Sequence, residues 1–460
     1  MGLRVRVDAP QNPVKTCLFI CVGMVALMVP GRAGDAPVSF RRDIQPILRA
    51  SCVACHKPSK EKGELDVTTH AALLKGGKHQ DAVIPGSPER SRLIRDVSGS
   101  LPVMPEEGEP LLPAEIAVLA RWIAAGAPDD SPAAGSAAAQ AAPVYTRLPA
   151  VSALAWAPGG ALLAVAAHNE VLLFAEGASS ARTRLRGDAA RVESLAFSAD
   201  GRRLASAGGT PSEFGEICIW NPVDGRLLRA IRTSTDVVHG VSFSDDGSLV
   251  AVGCADKLVR VFSVESGEER MRCDNHIDWV LATAFTHDGQ RVVSASRDRA
   301  LKLIDLATGR LIDDVSIPRE PLLSLARHPD KDLVAFGGAE GQIRLNRMEP
   351  RGGRLAEGDN KELSFVRELG RLNGSVSALA FNREGNLLAA VSLRGDARVL
   401  DAADGKKVST LKTTAAPLFA VAFHPTLAEV AAAGFDGKVR VFNPKDGSPI
   451  REFDCVPLSP

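Results

Sequence analysis

The chain has 460 residues, with 55 basic and 55 acidic side chains and therefore a formal net charge of zero. Hydrophobic residues make up 45% and charged residues 24% of the sequence, a balance that is typical of a globular protein with a sizeable core and that excludes disorder along most of the length. No excess of basic residues is present and aromatic residues reach only 5%, so the composition argues against a nucleic-acid-binding protein.

The first 33 residues have the layout of a secretory signal peptide. A basic segment precedes an uncharged apolar stretch at 17–30, and small residues follow it. This stretch is too short to cross the ~30 Å apolar core of a bilayer. We therefore predict cleavage after Ala33 or Ala36 and an exported protein, periplasmic or in the cell envelope, with no membrane span in the mature chain. An uncleaved signal would instead tether the protein to the membrane.

An alanine- and proline-rich stretch at 129–143, which lacks bulky apolar residues, is interpreted as a linker. Upstream of it, residues 38–128 carry apolar residues at helical spacing, first in SFRRDIQPILRAS and again from Ile116 to Ile123. Pro113 and Gly126 are typical boundaries for the second of these helices. Trp122 and Ile123 are interpreted as core residues that pack against the first helix.

Residues 52–56 read Cys-Val-Ala-Cys-His, directly after the first predicted helix. Two thiols at this spacing can add to both vinyl groups of one haem, and the histidine that follows then faces the iron as its proximal ligand. The motif predicts one covalently attached haem c per chain, held by Cys52, Cys55 and His56.

Three other uses of the two cysteines are weaker. A thioredoxin-like dithiol would need a strand–helix context and usually lacks the histidine. A zinc site would need a second Cys/His pair of matching spacing, and none precedes the linker. A disulfide across so short a loop would be strained and would gain little entropy.

The candidates for the second axial ligand of the iron can be reduced by elimination. Met104 is the only methionine of residues 35–130, and the prolines on either side of it indicate a rigid extended loop. A neutral thioether there would favour ferrous iron and a comparatively high reduction potential. His70 and His79 are the other candidates, and each is interpreted as a solvated loop histidine.

Three lysines, Lys57, Lys60 and Lys62, lie next to the haem motif. They could dock an acidic redox partner, but a solvated flank is the simpler interpretation.

Residues 144–460 contain seven copies of an apolar strand followed by a turn. The residues that end these strands, which we call anchors, are separated by 41, 46, 42, 42, 54 and 42 positions. The anchors are Trp156, Phe197, Phe243, Phe285, Arg327, Phe381 and Phe423. A period near 42 with four short strands per unit is typical of a β-propeller blade, so the sequence predicts a closed ring of seven blades.

Pairs such as Trp220-Asn221, Ile304-Asp305 and Leu400-Asp401 end the third strands of these units. They are degenerate forms of a Trp-Asp pair, and the units resemble the WD-repeat family. The resemblance implies that His276 and Asp298 form a buried hydrogen-bonded pair.

The last blade could take its outer strand from PIREFD at the end of the chain or from VYTRLP at the start of the repeats, and we predict the second. The longest spacing predicts a surface loop around Arg351–Asn360, where a partner could dock. Other scattered residues of the repeats are interpreted as structural, with any disulfide pairing left open. They are His168, His239, His287, His328, His424, Cys218, Cys254, Cys273 and Cys455.

The segments SFRRDIQPILRASCVACHKP, GELDV, VIPGSPERSRLIR, VMP and LPAEIAVLARWIAAGAP together span nearly all of residues 38–128. In this region the chain resembles the planctomycete-type cytochrome c domain. The resemblance implies a compact all-α cytochrome in which Cys52 and Cys55 hold the haem, His56 is the proximal ligand and Met104 is the distal ligand.

The expected protein is therefore a small all-α c-type cytochrome domain followed by an all-β seven-bladed WD-repeat propeller. With both axial positions of the iron filled, it would pass single electrons to an unidentified redox partner rather than act as an enzyme. The propeller would bind a protein partner. Two alternatives stay open: a haem enzyme or small-ligand sensor with a labile sixth iron position, and a propeller scaffold in which the haem is structural.

Overall fold

The computed structural model describes residues 37–130, except 54, 58, 59, 80 and 107, and residues 143–458, except 351–362. The predicted signal peptide at 1–33, nearly all of the predicted linker and the predicted loop at 351–360 lie outside the described residues. The chain divides into two compact units, residues 1–131 and 132–460. Within the described ranges, every helix is too short or too polar to cross a membrane.

The regular structure of the N-terminal unit consists chiefly of short helices. Its α-helices are α1 (Gln45–Ser51), α2 (His70–Lys75), α3 (Arg92–Val97) and α4 (Pro113–Ala124), with a π-helical turn at Phe40–Ile44 and 3-10 turns at Lys62–Glu64 and Pro88–Arg90. It also contains an antiparallel pair of two-residue strands, β1 (His56–Lys57) and β2 (Lys60–Glu61), which departs from an all-α fold.

The core of this unit joins α4 to the turn that precedes α1. Pro113 is the first residue of α4, where the missing N–H costs little, and Gly126 follows its end with a φ of +92°. Trp122 and Ile123 are fully buried, and the Trp122 ring lies 5.4 Å from the ring of Phe40. The predicted packing of this helix against the first helical segment is confirmed.

The C-terminal unit is a propeller of seven four-stranded antiparallel sheets. Each sheet takes four consecutive strands of the chain, paired in chain order. The strands of blades 1 to 4 are β3 (Val151–Trp156), β4 (Leu162–Ala167), β5 (Glu170–Ala175), β6 (Thr183–Leu185); β7 (Arg191–Phe197), β8 (Leu204–Thr210), β9 (Phe214–Trp220), β10 (Leu227–Ser234); β11 (Val238–Phe243), β12 (Leu249–Cys254), β13 (Val259–Ser263), β14 (Glu269–Cys273); β15 (Val280–Phe285), β16 (Arg291–Ser296), β17 (Leu301–Asp305) and β18 (Leu311–Ser316).

The strands of blades 5 to 7 are β19 (Leu322–Arg327), β20 (Leu333–Gly338), β21 (Gln342–Arg347), β22 (Phe365–Arg371); β23 (Val376–Phe381), β24 (Leu387–Ser392), β25 (Ala397–Asp401), β26 (Lys407–Thr410); β27 (Leu418–Phe423), β28 (Val430–Gly434), β29 (Lys438–Phe442) and β30 (Pro449–Asp454). The seven predicted anchors end the first strand of every blade. The prediction of seven blades is confirmed.

Side chains of neighbouring blades form shared hydrophobic cores. The second strands are rich in small apolar residues, and β4 (LLAVAA) and β28 (VAAAG) are buried along their whole length. Val151 of blade 1 packs in one cluster with Val439 and Phe453 of blade 7, so the ring is closed. A closed ring leaves each blade only short edges through which it could pair with other chains.

The last blade is completed from the C-terminal end. β30, the PIREFD segment, pairs with β29 from Lys438 opposite Asp454 to Phe442 opposite Pro449. The prediction that VYTRLP supplies this strand is therefore wrong. The turn at 443–448 makes β29 and β30 a local hairpin, whereas the upstream segment would have to close a loop of nearly the whole propeller.

Tyr145, from the upstream segment, instead fastens the start of the propeller. It forms one parallel bridge with Leu458, and its hydroxyl donates to Oε1 of Glu170 at 2.9 Å. Glu170 is fully buried, and the same oxygen lies 3.3 Å from Nη2 of Arg184. The segment before blade 1 is thus held by a buried polar contact rather than by a strand.

Tyr145 is the only tyrosine of the chain, so phenolate absorbance reports on this contact alone. Burial and the hydrogen bond to Glu170 raise the pKa of Tyr145. We expect an ultraviolet titration of the folded protein to show no phenolate near pH 10, the ordinary value. The stability that the neutral phenol contributes is complete below about pH 10 and is lost as the pH rises above it. Titration of the folded protein at the ordinary pKa would contradict the contact.

The structure also shows the surroundings of the propeller cysteines and of three propeller histidines. Cys218, Cys254, Cys273 and Cys455 are buried and free, as isolated thiols. His276 and Asp298 form the implied buried pair, with Nδ1 2.7 Å from Oδ2, and this prediction is confirmed. Two of the five interpreted histidines are buried and accept backbone N–H groups of their own turns through Nδ1, namely His328 and His424. In the part of the chain that the structure describes, no group of three His, Cys, Asp or Glu side chains could hold a metal ion.

Candidate functional site

A cavity of about 680 Å³ in the N-terminal unit is lined by all four predicted haem-binding residues. Cys52 and Cys55 come from the turn after α1, His56 from β1, and Met104 from the loop between α3 and α4. The cavity lies within the size range of small-molecule and cofactor sites, roughly 300–1,000 Å³. The structure thus brings together residues that are up to 52 positions apart in the chain.

The turn after α1 presents the thiols and the imidazole to the same cavity. The N–H of Cys52 donates to the Leu48 carbonyl at 2.8 Å, and the N–H of His56 donates to the Cys52 carbonyl at 3.0 Å. These bonds tie Cys52 to the end of α1 and His56 to Cys52. Both thiols are free, without a disulfide between them. Burial raises the pKa of Cys52 to about 11, which keeps its sulfur protonated at neutral pH.

His56 is held in one tautomer. Its Nδ1 lies 2.8 Å from the backbone carbonyl oxygen of Lys62, which directly follows β2. A carbonyl can only accept a hydrogen bond, so Nδ1 carries a proton, and in the neutral imidazole Nε2 is the nitrogen with the lone pair. An imidazole that donates from one nitrogen to a carbonyl is oriented to bind a metal through the other. The residues present therefore fit a haem iron.

Met104 is positioned by its backbone. Its N–H donates to the Asp96 carbonyl at 2.8 Å, which fixes the loop on the end of α3. Two residues further on, Glu106 lies 2.8 Å from Nζ of Lys62. This ion pair links the loop that carries Met104 to the segment that follows β2. Both partners are exposed, which limits the stabilisation to about 1 kcal/mol or less.

Of the three lysines next to the motif, which were considered as docking charges for a redox partner, the structure describes the side chain of one. Lys62 forms an exposed ion pair with Glu106, which offsets its charge as a docking group. The side chains of Lys57 and Lys60 lie outside the described residues.

The two alternative histidine ligands have different surroundings. His70 begins α2 with a side chain only 11% exposed, its Nε2 2.8 Å from the Ala127 carbonyl and its ring 5.0 Å from that of Phe40. The prediction of a solvated loop histidine is therefore wrong for His70, because the packing of α2 draws it into the core and away from the cavity. His79 is exposed and lines the cavity, so it remains the second candidate for the sixth iron position.

Two features of the cavity wall were missed by sequence reasoning. Arg92 and Asp96 both line it, and they form an ion pair of 3.1 Å one helical turn apart on α3. Gly63 and Gly77 also line it, and their segments touch. The i, i+4 charge pair was a readable signal, whereas nothing local to Gly77 reveals its long-range contact.

Gly77→Ala is expected to disturb the cavity. A Cβ at this position would overlap the Gly63 carbonyl oxygen and would lie 2.9 Å from the Glu64 carbonyl carbon, so two backbone segments would have to separate. We expect a lower thermal midpoint and an altered visible spectrum of the haem-loaded protein. Gly159→Ala is the matched control because its Cβ would meet nothing within 4 Å. Equal spectra and midpoints for the two variants would contradict the close contact.

Family comparisons match both units. Residues 52–108 match the family described as Planctomycete cytochrome C. Residues 225–263 and 267–305 match the WD domain, G-beta repeat, and residues 325–426 match the Anaphase-promoting complex subunit 4 WD40 domain.

Similar individual proteins include a WD repeat-containing protein and a guanine nucleotide-binding protein subunit. WD repeat-containing protein SL1-17 of Schistosoma mansoni is 32% identical over 126 residues, which cover 27% of this chain and 40% of that protein. Guanine nucleotide-binding protein G(I)/G(S)/G(T) subunit beta-1 of Homarus americanus is 25% identical over 163 residues, or 35% of this chain and 46% of that protein. The chain thus spans less than half the length of these relatives.

Among solved structures, the computationally designed Ika8 protein matches the fold. It has a TM-score of 0.51 at 20% identity, with coverage of 68% of this chain and 89% of the designed chain. At that identity the likeness concerns the fold alone.

Together, the family matches and the sheet topology show that the chain combines a Planctomycete cytochrome C domain, matched at 52–108, with a seven-bladed WD-repeat propeller.

Proposed function

We propose that this protein is an exported c-type cytochrome that transfers single electrons, with the propeller as a platform for a protein partner. The observation that carries the proposal is the cavity shared by Cys52, Cys55, His56 and Met104, in which His56 keeps the lone pair of Nε2. Bound there, one haem c per chain supplies an iron that alternates between the ferric and ferrous states.

The roles of the four residues follow from their chemistry. Cys52 and Cys55 would hold the porphyrin through thioether bonds, and His56 and Met104 would be the protein ligands of the iron. The Lys62 carbonyl keeps the imidazole oriented, and Leu65, Val67, Leu93 and Val97 line the cavity with apolar groups that exclude water. If His56 and Met104 both bind the iron, it would have no position left for a substrate, which supports an electron carrier rather than an enzyme.

The remaining parts of the proposal rest on other observations. The basic, apolar and small-residue layout of 1–33 supports export to the periplasm or cell envelope. The match to WD repeats supports a protein partner for the propeller, and the zero net charge supports the absence of nucleic acid.

Spectroscopy of the protein produced with haem-attachment machinery tests the proposal. We expect a low-spin c-type spectrum when reduced and the long-wavelength band of methionine-ligated ferric iron when oxidised. A Cys52→Ser, Cys55→Ser double variant should lose haem that survives denaturation, whereas the control Cys254→Ser, a buried thiol of the propeller, should retain it. High-spin iron that binds carbon monoxide readily would contradict electron transfer and favour the haem enzyme or sensor.

A further inference from the structure

We propose that Arg92 binds a propionate carboxylate of the haem, so that the cavity contains a built anion site. The proposal rests on the haem of the proposed function. Helix α3 lines the cavity with Arg92, Leu93, Asp96 and Val97, which are spaced so that they share one face of the helix. The same face therefore supplies both apolar contacts and one cation.

The guanidinium of Arg92 is held in place by a hydrogen bond from Nε, but part of its hydrogen-bonding capacity is unused. Its Nε donates to Oδ2 of Asp96 at 3.1 Å, and its backbone N–H donates to the Asp81 carbonyl at 2.9 Å. Among the residues that the structure describes, its two Nη groups have no hydrogen-bond partner. A guanidinium that is fixed through Nε presents its planar edge to a carboxylate, which it can bind with two parallel hydrogen bonds.

Two carboxylates lie near Arg92, so an anion could bind in this part of the cavity only next to a cation. The carboxylates of Asp81 and Asp96 also line the cavity, and Oδ1 of Asp81 is buried without a hydrogen-bond partner among the described residues. A propionate in this part of the cavity would be repelled by both aspartates. The Arg92 side chain, 41% exposed, lies where the cavity meets solvent and can offset that repulsion.

Other cations near the cavity fit the role less well. Lys62 is paired with Glu106 at 2.8 Å, and Arg95 is paired with Asp81 at 2.7 Å. Lys78 lines the cavity but is exposed and carries a flexible ammonium, which binds as a point charge rather than as a fork. The vinyl and propionate groups of a haem lie at opposite edges of the porphyrin, so the propionates must meet a part of the wall other than the cysteines. Helix α3 is such a part.

The test uses the full haem-loaded protein with Arg92→Gln, Arg92→Lys and the control Arg90→Gln. Arg90 is exposed and outside the cavity, so its replacement removes the same charge without touching the site. We expect Arg92→Gln to shift the propionate bending bands of the resonance Raman spectrum and to lower the midpoint potential, because loss of a nearby cation favours ferric iron. Arg92→Lys should keep most of the potential but still shift the bands, and Arg90→Gln should change neither.

Unchanged propionate bands in Arg92→Gln would overturn the proposal, as would an equal shift in Arg90→Gln. If Arg92→Gln fails to accumulate, Arg92→Lys decides by the same bands. A wild-type protein without haem would overturn the proposed function itself, so the two failures are distinguishable.

Discussion

Met104→Ala is expected to convert the haem-loaded protein from low-spin to high-spin iron and to let the ferrous form bind carbon monoxide. Alanine removes the thioether that would fill the sixth iron position, while the hydrogen bond from the backbone N–H of residue 104 to the Asp96 carbonyl, 2.8 Å in the wild type, is independent of the side chain. The loop should therefore stay in place and only the ligand should be lost. Visible spectra of both oxidation states, with and without carbon monoxide, measure the change.

Val103→Ala is the control for this experiment, since Val103 is 68% exposed and adjacent to the methionine. Its spectra should match those of the wild type. If Met104→Ala also leaves the spectra unchanged, Met104 is not the distal ligand. His79, which lines the same cavity, would then be the residue whose replacement by alanine produces the high-spin form.

Asp298→Ala is expected to be the most destabilising single change considered in the propeller. Asp298 is 3% exposed, its Oδ2 lies 2.7 Å from Nδ1 of His276, and it also accepts the backbone N–H groups of Ile277 and Ala300. Removing one partner of a buried pair of this kind costs about 3–5 kcal/mol in the free energy of unfolding. Denaturant unfolding of both proteins measures the loss.

Glu268→Ala is the matched control, because Glu268 is an exposed carboxylate 3.5 Å from Arg270. The control should change the free energy of unfolding by about 1 kcal/mol or less. Equal effects of the two substitutions would show that the buried pair contributes no more to the free energy of unfolding than an exposed carboxylate does.

The same pair gives stability a defined pH dependence. Burial acts to raise the pKa of Asp298, but the hydrogen bond and charge of His276 and two backbone N–H groups outweigh it and lower the pKa from 3.8 to about 2. A depressed folded-state pKa stabilises the protein above about pH 4, and this stabilisation is lost as the pH falls towards 2. The free energy of unfolding of Asp298→Ala should therefore fall less steeply over this interval than that of the wild type.

Features encoded in short stretches of sequence were predictable. The spacing of Cys52, Cys55 and His56 is a chemical requirement of attachment to one porphyrin, so five consecutive residues carry it. The seven anchors recur because every blade repeats the same strand and turn. Both kinds of signal are local, and neither depends on how distant parts of the chain meet.

The features that were not predictable depend on tertiary contacts. His70 looks like a loop histidine in the sequence, but α2 packs it against Phe40. Gly77 has meaning only because the Gly63 carbonyl approaches it. The strand that closes the propeller could not be chosen by pattern, since either terminal segment is long enough to form a short outer strand. The short turn between β29 and β30 decides it through loop-closure entropy.

Completion of each blade by consecutive strands has a consequence for the order of folding. Strand pairing within every blade is local, whereas the contacts between blade 7 and blade 1 join distant residues, such as Cys455 and Pro149, whose Sγ and carbonyl oxygen lie 3.5 Å apart across 306 positions. Contacts that are far apart in sequence form late, because the chain between them must first be ordered. The blades should therefore gain structure individually, with the seam between β27 and β3 forming last. In native-state hydrogen exchange, that seam should open before the interfaces of the central blades.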